Sequence, residues 1–237
     1  MTIKLVGSSS GSVALDAPAS TTSGANIEFK LPVADGTAGQ VLKTDGSGNL
    51  SWVTTSQDYV KLLEGESASY GGSALTFDNL DVATYRSFDL LAFLQPATDA
   101  QQLRFYYREG GASGSNITGN SYAYGFNEKK ESNTSNCTAS SPDTYMRLTN
   151  TVGNHASEGV GIRMRISVGR SGDVANTKWL ANLVTWNSVH REQGNAARMI
   201  DGQGHLYDDT KYPTGFSLFF QSGNINSYSY CLYGIKD

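Results

Sequence analysis

The sequence predicts an all-β protein: a short intertwined N-terminal β segment followed by an antiparallel β-sandwich of the jelly-roll kind. Two observations carry this. The 237 residues include 26 Gly and 13 Tyr but 5 Pro, and 17% are charged, against the ~25% usual for soluble domains. Many glycines and aromatics with few charges suit many strands joined by tight turns. In addition, short apolar runs with period-two alternation recur after turn-rich gaps, without a convincing long amphipathic helix.

Residues 1–57 form the first compositional block. Ile3, Leu5, Val13 and Leu15 alternate as in short strands separated by the Gly7–Gly11 turn. Ile27–Leu31 alternates apolar and charged residues, which predicts a half-exposed strand. Pro32 ends it, because proline removes a ladder donor. Val33–Gly39 then reads as a loop, Val41–Lys43 as a strand, Asp45–Gly48 as a turn and Leu50–Val53 as the returning strand. Within residues 31–54 the apolar side chains Val41, Leu42, Leu50 and Trp52 are too few to offset the entropy of ordering the segment by itself. The simplest remedy is several copies wrapped about one axis. Those four residues are therefore the expected oligomerisation contacts of an attachment or stalk segment.

Residues 58–237 form the second block. Strands are expected over Tyr59–Leu63, Ala74–Phe77, Phe88–Leu94, Gln102–Arg108 and Ser121–Phe126. Further strands are expected over Thr144–Leu148, Gly161–Val168, Trp179–Trp186, Ala197–Ile200, Gly215–Phe220 and Ser229–Ile235. A helix over Lys178–Trp186 is the weaker alternative. Residues 112–142 read as long loops. Together with residues 201–213 they are where recognition is expected, since binding residues concentrate on loops.

Several functions are disfavoured. The net charge of −4 supplies no basic footprint for nucleic acid. No apolar run is long enough for a membrane span. The N-terminal residues lack the apolar region of a secretory signal, so synthesis in a cytoplasm is expected. Cys137 and Cys231 read as two free thiols rather than a disulfide framework. The Asn-x-Ser/Thr triplets at Asn49, Asn116, Asn133 and Asn136 read as chance occurrences.

Catalytic and metal constellations are weak. His155, His190 and His205 have no second ligand at zinc spacing, and no Gly-x-Ser-x-Gly elbow occurs. The Gly7–Gly11 loop lacks the Lys and helix of a phosphate cradle. Asp208 and Asp209, between Tyr207 and Tyr212, could face a sugar, but glycoside hydrolysis needs two carboxyls across the bond, roughly 5–10 Å apart. The same pair with Asp201 or Asp99 is a poor match to a calcium loop. The expectation is no enzyme, no metal and no cofactor. Phe88, Phe93, Phe105, Trp179, Trp186, Phe216 and Phe219 are expected in the core. Tyr122, Tyr124, Tyr207, Tyr212, Tyr228 and Tyr230 lie beside small polar residues, a setting that suits either recognition or a sheet face. The candidate ligand contacts are Tyr122, Tyr124, Tyr207, Asp208, Asp209 and Tyr212. Lys129 and Lys130, between Glu128 and Glu131, read as a solvated, self-neutralised loop.

Two stretches carry a resemblance. Gly39-Gln40-Val41-Leu42, Thr44-Asp45-Gly46, Gly48-Asn49-Leu50 and Ser51-Trp52 resemble a segment of bacteriophage tail-fibre and related virion proteins. Gly11–Pro18 resembles the strand that precedes the Leu-Pro box of those proteins, and Leu31-Pro32 matches the box. In the second block, Leu75–Phe77, Leu80, Tyr85 and Phe88–Leu90 resemble the opening of a phage jelly-roll head. Pro96, Thr98, Asp99, Leu103, Arg104, Gly110 and Gly111 resemble its hairpin, and Phe220–Ile225 with Leu232–Lys236 its closing strands. The resemblance implies a homotrimeric, non-enzymatic virion appendage made in a host cytoplasm. Its N-terminal segment would contact other virion proteins, and its head a host surface glycan or protein. A capsid decoration protein is the structural alternative, and a polysaccharide-cutting spike the less favoured enzymatic one.

Overall fold

The computed structural model describes residues 3–6, 9–16, 18–55, 58–132, 134–169, 182–192, 196–208 and 210–236. The chain forms two compact units, residues 1–56 and 57–237. Among the described residues the regular structure is strand, apart from two single 3-10 turns.

The first unit contains two hairpins. Strands β1 (Ile3–Val6) and β2 (Ser12–Leu15) pair antiparallel, as do β3 (Gln40–Thr44) and β4 (Leu50–Thr54). The β3–β4 turn is closed by Asp45. Its carboxylate accepts the backbone N–H groups of Ser47 and Asn49 and the Asn49 side-chain amide, while Gly46 and Gly48 supply positive φ. The strand expected at Ile27–Leu31 does not form. Within it Lys30 forms an isolated bridge to the hairpin, through the Lys30 N–H to Gly48 carbonyl and Leu50 N–H to Lys30 carbonyl bonds. Ile27, Phe29 and Leu31 remain exposed.

The second unit is a two-sheet sandwich. Its strands are β5 (Tyr59–Ser67), β6 (Ala74–Phe77), β7 (Tyr85–Pro96), β8 (Gln101–Glu109), β9 (Ser115–Asn116), β10 (Tyr122–Lys130) and β11 (Ser135–Asp143). They continue as β12 (Met146–Val152), β13 (Val160–Ser167), β14 (Leu183–Arg191), β15 (Ala197–Leu206), β16 (Gly215–Phe220) and β17 (Ile225–Lys236). One sheet has the order β11-β10-β15-β14-β13-β7-β17-β5, and the other β12-β8-β16-β6 with β9 added beside β8. If β9 to β11, β14 and β15 are set aside, the remaining strands fall into two quartets, β5-β17-β7-β13 and β6-β16-β8-β12. That interleaving is the jelly-roll order. Two insertions, β10–β11 and β14–β15, widen the first quartet to eight strands.

Alternation explains the core. Along β14 the side chains switch strictly between exposed and buried, which places Val184, Trp186, Ser188 and His190 inside. The inner faces of both sheets contribute to one apolar cluster, including Phe77, Phe105, Met146 and Phe216 from one and Phe88, Leu90, Met164 and Trp186 from the other. Polar contacts of aromatic side chains cross it. The Tyr107 hydroxyl donates to the Ser167 carbonyl at 2.6 Å, the Trp186 indole N–H donates to the Leu148 carbonyl at 2.9 Å, and the Tyr122 hydroxyl reaches β8 from β10. Each aromatic ring fills apolar space while its polar tip satisfies a buried backbone group.

The structure corrects several expectations. Residues 112–142 are not long loops but contain β10 and most of β11. Residues 201–206 complete β15. Gly202 in that strand makes room for a large neighbour, because a Cβ there would stand 2.3 Å from the Trp186 ring. Phe93 is not in the core: it is 43% exposed on the outer face of the eight-stranded sheet. Phe219 is half-buried on the outer face of the smaller sheet, where it stacks on Tyr106 at 4.8 Å. Of the strand expected over Trp179–Trp186, residues 179–181 lie outside the described residues, and β14 begins at Leu183.

Candidate functional site

The candidate ligand residues do not converge. Tyr122 is fully buried, its hydroxyl accepting the Tyr107 N–H at 3.0 Å and donating to the Ile117 carbonyl at 2.9 Å. Burial holds this phenol far above its ordinary titration range. Tyr124 is 8% exposed and donates to Asp143. Both rings point into the sandwich, because β10 alternates with them inside. Tyr207 is at the surface, with its hydroxyl on the Asn120 carbonyl and its N–H on the Ser121 carbonyl. Asp208 closes a local turn, accepting the Thr210 N–H at 3.0 Å and the Thr210 hydroxyl at 2.6 Å. Tyr212 is half-buried, and Asp209 lies outside the described residues. Asp201 accepts the Asn187 amide and Asp99 the Ala100 N–H. No group of His, Cys, Asp and Glu among the described residues is placed to hold a metal ion. Cys137 and Cys231 are free.

In the first unit, Val41 is 46%, Leu42 44% and Trp52 37% exposed, while Leu50 is half-buried. Trp52 is fixed by its own chain. Its indole N–H donates to the Ala34 carbonyl at 3.0 Å, and its ring lies where a Cβ on Gly36 would stand at 2.6 Å. The ring is thus oriented but not covered.

The head offers two outer faces. On the smaller sheet, the half-buried Tyr106 and Phe219 rings stack nearly parallel, Tyr145 meets both edge-on, and the Arg104 guanidinium lies 4.1 Å over Tyr145. This is an aromatic platform with a cation on its rim, a surface able to stack on a sugar ring or a planar side chain. Sequence reasoning missed it because its members come from three separate segments. The signal was the outward parity of Arg104 and Tyr106 on β8.

On the eight-stranded sheet, a groove of about 1150 Å3 runs over Leu91, Phe93, Gly161, Arg163, Val189 and Met199. Beside it Asp89 takes a bidentate contact from Arg165 at 2.8 and 3.0 Å, with Arg163 at 3.5 Å. The Arg165 hydrogen bonds hold the Asp89 carboxyl below its ordinary range. The stacked Tyr59 and Tyr233 rings, 4.7 Å apart, lie on the neighbouring strands.

A third cluster is enclosed. Glu128 points inward from β10, against the expectation of a solvated loop. Its carboxylate meets Arg198 at 3.1 Å and lies 3.8 Å from His190 Nε2. Arg198 also pairs with Glu192, which accepts the Thr151 hydroxyl at 2.9 Å. Neither His190 nitrogen has a hydrogen-bond partner among the described residues. Burial lowers the His190 pKa to about 4. This arrangement couples strands at one end of the interior.

No helix among the described residues is long and apolar enough to cross a membrane. No protein-family model and no curated protein matches the chain.

Proposed function

We propose that this protein is a homotrimeric virion appendage, of the tail-fibre kind, that contributes to host adsorption by multivalent surface binding. The observation that carries the reading is the first unit. Its hairpins leave Val41, Leu42 and Trp52 more than a third exposed, and a two-stranded hairpin is marginal by itself. Winding three copies together covers those side chains and completes a core that one copy lacks. The jelly-roll order of the head is in keeping with the same reading. Three heads on one stalk gain avidity from sites that are individually weak.

The ligand-facing surface in this proposal is the aromatic platform of Tyr106, Tyr145, Phe219 and Arg104, in place of the two inward tyrosines of β10. A surface glycan is the matching ligand chemistry, since a ring face and an adjacent cation suit a sugar bearing a hydroxyl or carboxylate edge. The Asp208 carboxylate closes a local turn with Thr210, which suits binding rather than hydrolysis.

The test is the mass of the full chain by light scattering, followed by competition. The account expects three times the 25.4 kDa chain mass and purified protein that blocks adsorption of the virus to its host. Tyr145→Ala should keep the mass and lose at least tenfold in blocking. A monomer, or a trimer that never competes, contradicts the adhesive reading.

A further inference from the structure

We infer that the outer face of the eight-stranded sheet is the surface through which heads pack on one another, the β5 side of one copy lying against the β10–β11 side of the next. The inference rests on the trimer proposed above and adds which surface of the head takes part.

The register places one row of side chains across the sheet: Glu66, Ser229, Phe93, Gly161, Val189, Met199 and Lys129. Its middle is apolar. Phe93 is 43%, Val189 57% and Met199 49% exposed, with Leu91 at 45% on the adjoining row. No element among the described residues covers them. Contiguous apolar side chains on neighbouring strands mark an interaction surface, where scattered ones would not. Gly161 leaves a furrow between Phe93 and Val189, so a neighbour can approach closely.

The ends of the row carry opposite charges. Glu66 and Lys129 have no ion-pair partner among the described residues, whereas Glu64 is already paired with Lys61 at 2.9 Å. A head-to-tail contact sets Glu66 of one copy beside Lys129 of the next, and the rule repeats at each contact until the ring closes. Like ends brought together would oppose equal charges. Eight strands at ~4.8 Å spacing and ~3.4 Å per residue give the face roughly 900 Å2. Each of its two contacts in the ring draws on roughly half of it, less than the ~800 Å2 per partner of a self-sufficient interface and therefore an addition to the contacts of the first unit. Edge strand β11 fits the arrangement. Its Ser-rich sequence and Pro142 oppose continuous strand addition, so contact through the face is favoured over contact through the edge.

The two cysteines provide the probe. Cys231 lies beside Glu64 at one side of the face and Cys137 at the other, both on the row that contains Leu91 and Arg163. In the ring, Cys231 of one copy approaches Cys137 of its neighbour. The experiment treats the full chain with a short bismaleimide and separates products on a denaturing gel. The expected result is covalent species of two and three chains that vanish in both Cys137→Ser and Cys231→Ser. Glu66→Lys and Lys129→Glu should each reduce the yield at least fivefold, and their combination should restore it. A full chain with trimeric mass whose cross-linking is absent, or persists with one cysteine, overturns the assignment of this face while leaving the stalk-based trimer standing. A monomeric mass overturns both.

Discussion

Tyr122→Phe removes one oxygen and nothing else from the centre of the head. In β8, pairing with β12 stops at Phe105 and pairing with β9 starts at Arg108. Tyr107 falls in the gap, and the Tyr122 hydroxyl fills it from across the sandwich. It accepts the Tyr107 N–H at 3.0 Å and donates to the Ile117 carbonyl at 2.9 Å. Phenylalanine keeps the ring packing and strips both partners. Each buried group left unsatisfied costs ~1–3 kcal/mol. The Ile117 carbonyl has a second lone pair and a turn beside it that can adjust, so the total expected is about 2–4 kcal/mol. For a unit of this size that lowers Tm by roughly 4–16 °C. Thermal and urea unfolding followed by near-ultraviolet circular dichroism would measure it, with m unchanged if the fold is intact. The adsorption-blocking activity of protein that remains folded should not change, because the residue is fully buried. A variant as stable as the parent, or one that loses blocking while its Tm is unmoved, refutes the assignment of Tyr122 to the core.

Further outcomes follow from the same geometry. Gly202→Ala pushes a methyl into the Trp186 ring, 2.3 Å from its nearest atoms, and should cost about 1–3 kcal/mol by overpacking, read as a lowered urea midpoint. His190 is held neutral by burial, with Arg198 adding to the effect and Glu128 opposing it, and its pKa falls from 6.5 to about 4. The unfolded chain therefore takes up this proton first as pH falls. Stability from the neutral imidazole is complete above pH 6.5 and is lost toward pH 4, by up to ~3 kcal/mol. His205, also lowered by burial, acts in the same direction. A Tm profile over that window should flatten in His190→Gln if the variant folds. Deleting residues 1–57 should leave a folded head that trimerises less well and no longer joins the particle. An equally stable trimer after deletion contradicts the role given to Val41, Leu42 and Trp52.

What the sequence made legible was periodic and local. Apolar alternation located β6, β8 and β16 nearly to the residue, and the Thr44-Asp45-Gly46 turn was evident from its own chemistry. What it concealed depended on distant partners. Strand β11, Ser-Asn-Cys-Thr-Ala-Ser-Ser-Pro-Asp, has the composition of a loop and is a strand because β10 supplies its ladder. Glu128 looked solvated beside two lysines, yet Arg198, seventy residues later, makes its inward position tolerable. Residues 201–213 read as a recognition loop, but Gly202 and Gly204 lie in β15 and the space they leave is taken by Trp186 and Met146. The inward tyrosines were misjudged because a tyrosine among small polar residues has the same local sequence on a loop and on an inner sheet face. Strand parity across the whole sheet decides between them.

The central claim is that a few copies of this chain project from a particle as adhesive trimers. Cryo-EM of the intact virion, locating the chain and counting its copies, tests it most directly. The account predicts a small number of three-fold appendages at the tail, each with its first unit toward the particle and its heads outward. Hundreds of copies spread over the shell would contradict it and make the protein a decoration of the capsid.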